Sequence, residues 1–291
     1  MEISDIYKKL EGAIKGKLRS LPKLCLASVS IGEDSSAKAY CVSQEKTARE
    51  LGIEYKFVNL PPDISFEDFK LKVKVLNNDK SITGIIINKP FPKDWKETEA
   101  FSTIDCNKDV EGMHLVNLGK FLKGKNQIIN SLFEEDDLIL VSPTVLSIIK
   151  LLDEATGHKY RGKIVTIVGS SLLIGQPLAL FLVNELATVT LVNIETPKDD
   201  IPKYIGSSDI VVSAAGVPDL IKGDWIKEGA VVIDVGTGSK DGRIAGDVEF
   251  EKASKKTSFI TPVPGGVGKL TPLFLYHNLI VAHILADKKK T

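Results

Sequence analysis

Over residues 4–20 the apolar positions Ile6, Leu10, Ile14 and Leu18 recur four apart, which marks one face of an amphipathic helix. The period then changes repeatedly. Leu24–Ile31 and Glu54–Asn59 read as strands. Ser36–Leu51 and Phe66–Leu76 read as helices, the second ended by Asn77-Asn78. Ile82–Ile87, with isoleucine at 85, 86 and 87, is the near-continuous apolar run expected of a parallel strand covered on both faces. The pattern fades from Asp94 to Asp137. It returns as a helix over Pro143–Ala155, with proline in its first turn. Strands follow at Lys163–Val168, Thr188–Val192, Asp209–Ala214, Ala230–Val235 and Ser258–Ile260, with helices in most gaps and a last helix over Leu270–Ala286. Strands alternating with helices predict an α/β fold of two parallel-sheet units.

Composition narrows the function classes. A chain of 291 residues can make two domains, and 38 Lys plus Arg balance 38 Asp plus Glu. Zero net charge argues against a nucleic-acid or anionic-membrane partner. The one charge run, Lys288-Lys289-Lys290, reads as a solvated tail that complements a helix C-terminus. No uninterrupted apolar run of about 20 residues predicts a membrane span. The three cysteines, Cys25, Cys41 and Cys106, are odd in number and lack metal-like spacing, which suits a reducing compartment. His277 and His283 lie six apart, not three or four, so no metal site is expected. The acidic start, Met1-Glu2-Ile3-Ser4-Asp5, is unlike a signal peptide, and a cytoplasmic protein is expected.

Two stretches carry candidate chemistry. After the strand Val165–Val168 come Gly169 and, six residues on, Gly175, opening a helix-like run at Pro177. A glycine turn at that place aims free backbone N–H groups at an anion, as in dinucleotide folds. Near the C-terminus, Thr261–Gly268 holds two prolines and three glycines in eight residues, which makes a rigid loop that backbone or ligand can approach closely. The order of residues in Gly169-Ser170-Ser171-Leu172-Leu173-Ile174-Gly175-Gln176-Pro177 and in Thr261-Pro262-Val263-Pro264-Gly265-Gly266-Val267-Gly268 closely resembles the bifunctional methylenetetrahydrofolate dehydrogenase/cyclohydrolase family. The resemblance extends to Ser213–Pro218, to Asp224–Ala230, to Asp234-Val235-Gly236-Thr237 and to Gly246-Asp247-Val248. It is strongest from Gly162 to Thr271 and weaker from Ser4 to Asn130.

The resemblance implies a folate domain over residues 1–140, completed by the last helix, 270–291, and a Rossmann-like NAD(P) domain over 141–269. It also implies a folate cleft between them and a homodimer through the cofactor domains. Gly169, Ser170, Ser171, Gly175, Glu195, Thr196, Gly236 and Thr237 would then bind cofactor. Tyr40 would floor the folate cleft, and Pro264, Gly265 and Gly268 would wall it. The family default is NADP. Here, however, Glu195 stands where many relatives carry a basic residue, and Ser170 where several carry Arg. A carboxylate repels a 2′-phosphate, so these two residues lean toward NAD.

The catalytic neighbourhood departs from the family pattern. The family's S-x-x-Y-x-x-x-K here keeps Tyr40, but Ala37 replaces the Ser and Gln44 the Lys. Lys46, two residues further on, faces elsewhere on a helix. The family's Gln in Q-L-P-L-P is Asn88, within Asn88-Lys89-Pro90-Phe91-Pro92. The second Asp of K-D-V-D-G, which grips the pterin ring in relatives, is Glu111. Hydride transfer from methylenetetrahydrofolate rests chiefly on ring positioning, whereas attack of water on the methenyl product needs a titratable group, and an amide cannot titrate. The expectation is therefore a dehydrogenase acting on tetrahydrofolate derivatives whose cyclohydrolase is weak or absent, with Tyr40, Gln44, Asn88 and Glu111 as the catalytic set. Lys89 or Lys269 could bring an ammonium to the missing group's place or bind the substrate's glutamate tail; the plainer reading is a surface lysine in each case. Two other classes stay open: an α/β dehydrogenase on another substrate, and a non-catalytic folate- or nucleotide-binding relative.

Overall fold

The computed structural model describes residues 2–123 and 138–288. By packing, the chain divides into two units. One comprises Lys8–Pro143 with Pro272–Thr291, the other Met1–Tyr7 with Thr144–Thr271. Lys289 and Lys290 of the basic run lie outside the described residues.

Helix α1 (Ile3–Leu18) starts in the second unit and enters the first at Lys8, and its predicted face buries Ile6, Leu10 and Ile14. There follow β1 (Cys25–Ile31), α2 (Ser35–Leu51), β2 (Glu54–Leu60), α3 (Phe66–Asn78), β3 (Gly84–Ile87), α4 (Glu97–Phe101) and α5 (Leu115–Lys123). The sheet order is β2-β1-β3, all parallel. Helix α2 starts where the Asp34 carboxylate accepts from the Ala37 N–H at 2.9 Å, and it stops at Gly52, which is left-handed at φ 73°. Helix α3 runs through Asn77 and Asn78 instead of ending before them. The Asn77 amide donates to Thr103 O at 2.8 Å and accepts from the Asp105 N–H at 2.9 Å, so it does not compete for its own helix's backbone. Val29, Ile31, Phe69, Val73, Ile85 and Ile87 are buried in one core.

The second unit holds α6 (Pro143–Thr156), β4 (Ile164–Val168), α7 (Gly175–Asn184), β5 (Thr188–Val192), α8 (Ile201–Ser207), β6 (Ile210–Ser213) and β7 (Val231–Asp234). It continues with β8 (Gly238–Lys240), β9 (Arg243–Ala245), α9 (Phe250–Ala253) and β10 (Phe259–Ile260). Its main sheet, β10-β7-β6-β4-β5, is parallel throughout, and β8 with β9 forms a separate antiparallel hairpin that the hydrophobic pattern did not reveal. The strand order reverses between β4 and β6, and ligands of such sheets bind outside the carboxyl ends of strands at that switch point.

Helix α10 (Val267–Lys288) begins in the second unit and ends in the first. By length and composition it could cross a membrane, but 72% of its most apolar window is buried inside the structure. Leu270, Leu273, Phe274, Leu275, Leu279, Ile280 and Val281 make it a core helix.

Candidate active site

In the first unit the folate-side candidates gather where β1, β3 and α2 meet. Gln44, on the inner face of α2, is fully buried. Its Nε2 donates to Asn88 Oδ1 at 2.9 Å, Asn88 Nδ2 donates to Ser28 Oγ at 2.8 Å, and Ser28 Oγ donates back to Gln44 Oε1 at 2.8 Å. The three side chains close a ring. Tyr55 OH adds a second donor to Gln44 Oε1 at 3.0 Å, and Tyr276 OH on α10 donates to the Gln44 carbonyl at 2.7 Å. The remaining Asn88 N–H reaches Val29 O at 3.0 Å and Ser30 Oγ at 3.2 Å. Among the described residues no charged group hydrogen-bonds to this cluster, and every polar group in it is paired.

Tyr40, one turn before Gln44 on α2, is half-buried. Burial pushes its phenol pKa up, Glu111 adds to the rise, and a hydrogen bond with the Gln44 side chain opposes it. Burial likewise raises the Tyr55 and Tyr276 hydroxyls, so all three phenols keep their protons near neutrality. Glu111 differs. Burial, then repulsion from Asp109, pushes its carboxyl up to about 8, with Lys89 pulling weakly the other way. Asp109 is itself buried and fixed: its Oδ2 accepts from the His114 N–H at 2.8 Å and from Asn117 Nδ2 at 2.9 Å.

The two lysines singled out in the sequence are both engaged elsewhere. Lys89 Nζ lies 2.5 Å from Glu97 Oε1. Lys269 Nζ lies over the Tyr7 ring, 5.4 Å from its centroid.

In the second unit, a cavity of about 560 Å³ opens at the switch point. The ends of β4, β5 and β6 line it, through Val168, Val192 and Ala214, together with Gly169, Ser170 and Ser171 of the glycine turn. Gly175 opens α7, and a Cβ there would stand 1.9 Å from the Gly169 carbonyl oxygen, so only glycine lets the turn close against the helix. The first N–H groups of α7 thus face a tight loop in the manner of a pyrophosphate site. Asn193, Ile194, Thr196 and Lys198 form the wall beyond β5, whereas Glu195 is not part of it. Gly236 and Thr237 follow β7 outside this wall, Pro264 and Gly265 lie exposed in the turn leading into α10, and Gly268 is exposed in its first turn.

Two buried carboxylates that the candidate set lacks shape this end of the sheet. Asp247 Oδ2 accepts from Ser213 Oγ at 2.8 Å, the Ala215 N–H at 2.7 Å and the Gly216 N–H at 3.2 Å, and its Oδ1 accepts from the Val217 N–H at 2.7 Å. It therefore holds the loop after β6, and Ala215 and Val217 of that loop line the cavity. Asp234 accepts from the Asp247 and Val248 N–H groups at 3.0 and 2.9 Å. Burial pushes the Asp234 carboxyl up to about 7, its own backbone donors opposing and Asp247 adding. A Cβ on Gly236 would sit 2.0 Å from the Asp247 carboxylate, which explains a glycine there.

A parallel sheet with a glycine turn, a helix N-terminus and a cavity at its switch point defines a dinucleotide-binding α/β protein. The comparisons narrow it. Residues 1–111 match the catalytic-domain model of tetrahydrofolate dehydrogenase/cyclohydrolase, and residues 142–287 match that family's NAD(P)-binding domain. The chain is 36% identical to the bifunctional protein FolD of Clostridium tetani over 94% of each chain, and 39% identical to that of Geotalea uraniireducens over 95% of each. Among solved structures, the methylenetetrahydrofolate dehydrogenase-cyclohydrolase of Trypanosoma brucei, complexed with NADP and an inhibitor, superposes with a TM-score of 0.87 at 31% identity, covering 100% of this chain and 98% of that one. The Campylobacter jejuni enzyme gives 0.86 at 32%, covering 99% and 97%. The chain belongs to the tetrahydrofolate dehydrogenase/cyclohydrolase family.

Proposed function

We propose that this protein oxidises 5,10-methylenetetrahydrofolate to 5,10-methenyltetrahydrofolate with NAD or NADP, and that its hydrolysis of the product to 10-formyltetrahydrofolate is weak or lost. Family membership supports the first half. The closed ring around Gln44 carries the second.

When bound, the nicotinamide dinucleotide supplies an acceptor for the hydride. The chain's residues fit such a group: the turn from Gly169 to Gly175 and the start of α7 receive the pyrophosphate, and the segment beyond β5 receives the adenosine ribose. Asp247 keeps the loop 215–217 in shape beside it. On the folate side, Tyr40 packs against the substrate, and Glu111 and Asn88 are the polar groups that orient the pterin. An Asn88 tied to Val29 O and Ser30 is a fixed reference point for that ring.

Hydrolysis makes a different demand. The attacking water must lose a proton, and a side chain that titrates near neutrality must take it. Gln44 cannot, and both ends of its amide are already bonded within the protein. The neighbouring phenols are held neutral, and Lys89 is paired with Glu97. Glu111 does titrate near neutrality, but ring N–H donors of a bound pterin favour its ionised form and occupy it.

A homodimer through the second unit belongs to the same reading. Its support is the edge position of β5 and the exposed Leu180 and Val183 close to it in sequence.

The test is spectroscopic. Purified protein with methylenetetrahydrofolate and either cofactor is expected to yield reduced cofactor and a methenyl product that decays at the rate seen in buffer. Gln44→Lys is expected to accelerate that decay by about 10²-fold or more. Fast decay with the unaltered protein overturns the second half of the proposal, and no reduced cofactor overturns the first.

A further inference from the structure

We propose that Lys198 binds the 2′-phosphate of NADP and sets a preference for the phosphorylated dinucleotide. This rests on the dehydrogenase reading and deepens it at the adenosine end of the cofactor.

In a sheet of this order the adenosine ribose lies beyond the strand that neighbours the glycine-turn strand, here β5. An acidic side chain at that point serves the free hydroxyls of NAD, and a basic one serves the 2′-phosphate. Residue order alone favours Glu195. The folded segment favours Lys198. Asn193 ties the turn: its Oδ1 accepts from the Glu195 N–H at 2.9 Å, its carbonyl accepts from the Thr196 N–H at 3.1 Å, and its own N–H donates to Thr196 Oγ1 at 3.1 Å. The turn so formed leaves Asn193, Ile194 and Thr196 on the cavity wall and Glu195 off it. Pro197 then stiffens the step to Lys198, which returns to the wall.

Among the described residues, Lys198 is the sole charged residue lining the cavity. It takes part in none of the ion pairs found among them, whereas the next lysine, Lys203, is held by Asp200 at 2.7 Å. Ser170 and Ser171, across the wall on the glycine turn, add hydroxyl donors. A wall with one cation, several hydroxyls and no carboxylate suits a phosphate dianion and offers nothing acidic to a ribose diol.

Two measurements test this, one without turnover. By titration calorimetry, 2′,5′-ADP is expected to bind the unaltered protein more tightly than 5′-AMP, and Lys198→Met is expected to remove about tenfold of that advantage, the effect of one charge-assisted hydrogen bond. In turnover, the ratio of kcat/KM for NADP over NAD is expected to fall about tenfold in Lys198→Met, through KM for NADP. Lys203→Met is the control for general charge loss, and its ratio is expected to stay within about twofold. Equal affinity for the two mononucleotides in the unaltered protein overturns the proposal, as does a Lys198→Met variant that keeps the advantage of 2′,5′-ADP. Absence of turnover with either cofactor overturns the dehydrogenase reading, while the calorimetry still decides the role of Lys198.

Discussion

The two units each bury a polar cluster near the carboxyl ends of their parallel strands, and the clusters are opposite in kind. The first, Ser28–Gln44–Asn88, is a neutral ring in which amides and a hydroxyl satisfy one another. The second, Asp234–Asp247, brings two carboxylates together and surrounds them with backbone N–H donors. Both are saturated, so both add specificity to their cores. They differ in what they respond to. The ring contains nothing that titrates between acid and mildly alkaline pH. In the carboxylate pair, burial raises the Asp234 carboxyl, and its neighbour Asp247 holds the cavity loop. In the first unit the ring itself is neutral and Glu111 is the group that titrates near neutrality, while in the second the carboxylate pair stands beside the cavity at the switch point.

The sharpest way to break the comparison is Asp247→Asn. An amide offers one acceptor oxygen where the carboxylate receives Ser213 Oγ and three backbone N–H groups, and its own N–H groups would face donors. A loss of about 3 kcal/mol in urea unfolding is expected, with weaker cofactor binding because the loop 215–217 is released. Unchanged stability would show that the carboxylate is dispensable to the loop.

Next in size is Gln44→Met, which keeps the volume but leaves Asn88 Oδ1 without its donor and Ser28 and Tyr55 without their acceptor. A cost of about 2 kcal/mol is expected, nearly independent of pH. A cost that varied strongly with pH would mean that the ring carries a charge.

A third test separates the clusters by titration. Asp234 has a folded pKa of about 7 against an ordinary value of 3.8. A raised carboxyl holds its proton more tightly when folded, so its contribution to stability is present in acid and lost as pH rises through about 7. Glu111, raised from 4.5 to about 8, has the same sign. The melting temperature is expected to fall between about pH 4 and pH 8, and Asp234→Asn is expected to flatten part of that slope. A slope untouched by the substitution would assign it elsewhere.

Much of the scaffold was legible in the chain, because parallel strands buried on both faces leave unmistakable apolar runs: Ile85, Ile86 and Ile87 are all fully buried, as their order implies. The hairpin of β8 and β9 leaves no such mark, since each strand has three residues and little apolar content. The candidate site was legible position by position but not as a network. Tyr40, Gln44 and Asn88 could be placed by motif spacing. Ser28, Ser30, Tyr55 and Tyr276, which lock two of them, come from distant segments. One signal was present: Ser28 and Ser30 alternate with apolar residues on a strand buried throughout, so one side of β1 needed polar partners. Lys198 shows the opposite limit. Counting from the strand end pointed to Glu195, and only the turn built by Asn193 puts the lysine on the wall.

Helix α10 has a consequence in time. Tyr276 grips the Gln44 carbonyl, and Asn278 donates to the carbonyls of Val110 and Val141 at 2.7 and 2.6 Å. During synthesis these residues leave the ribosome long after the strands and helix they clasp. The carbonyls of Gln44, Val110 and Val141 therefore lack these donors until the whole second unit has been made. A nascent chain halted before Leu270 would leave those three carbonyls without their donors, so α10 sets the last long-range contacts of the first unit.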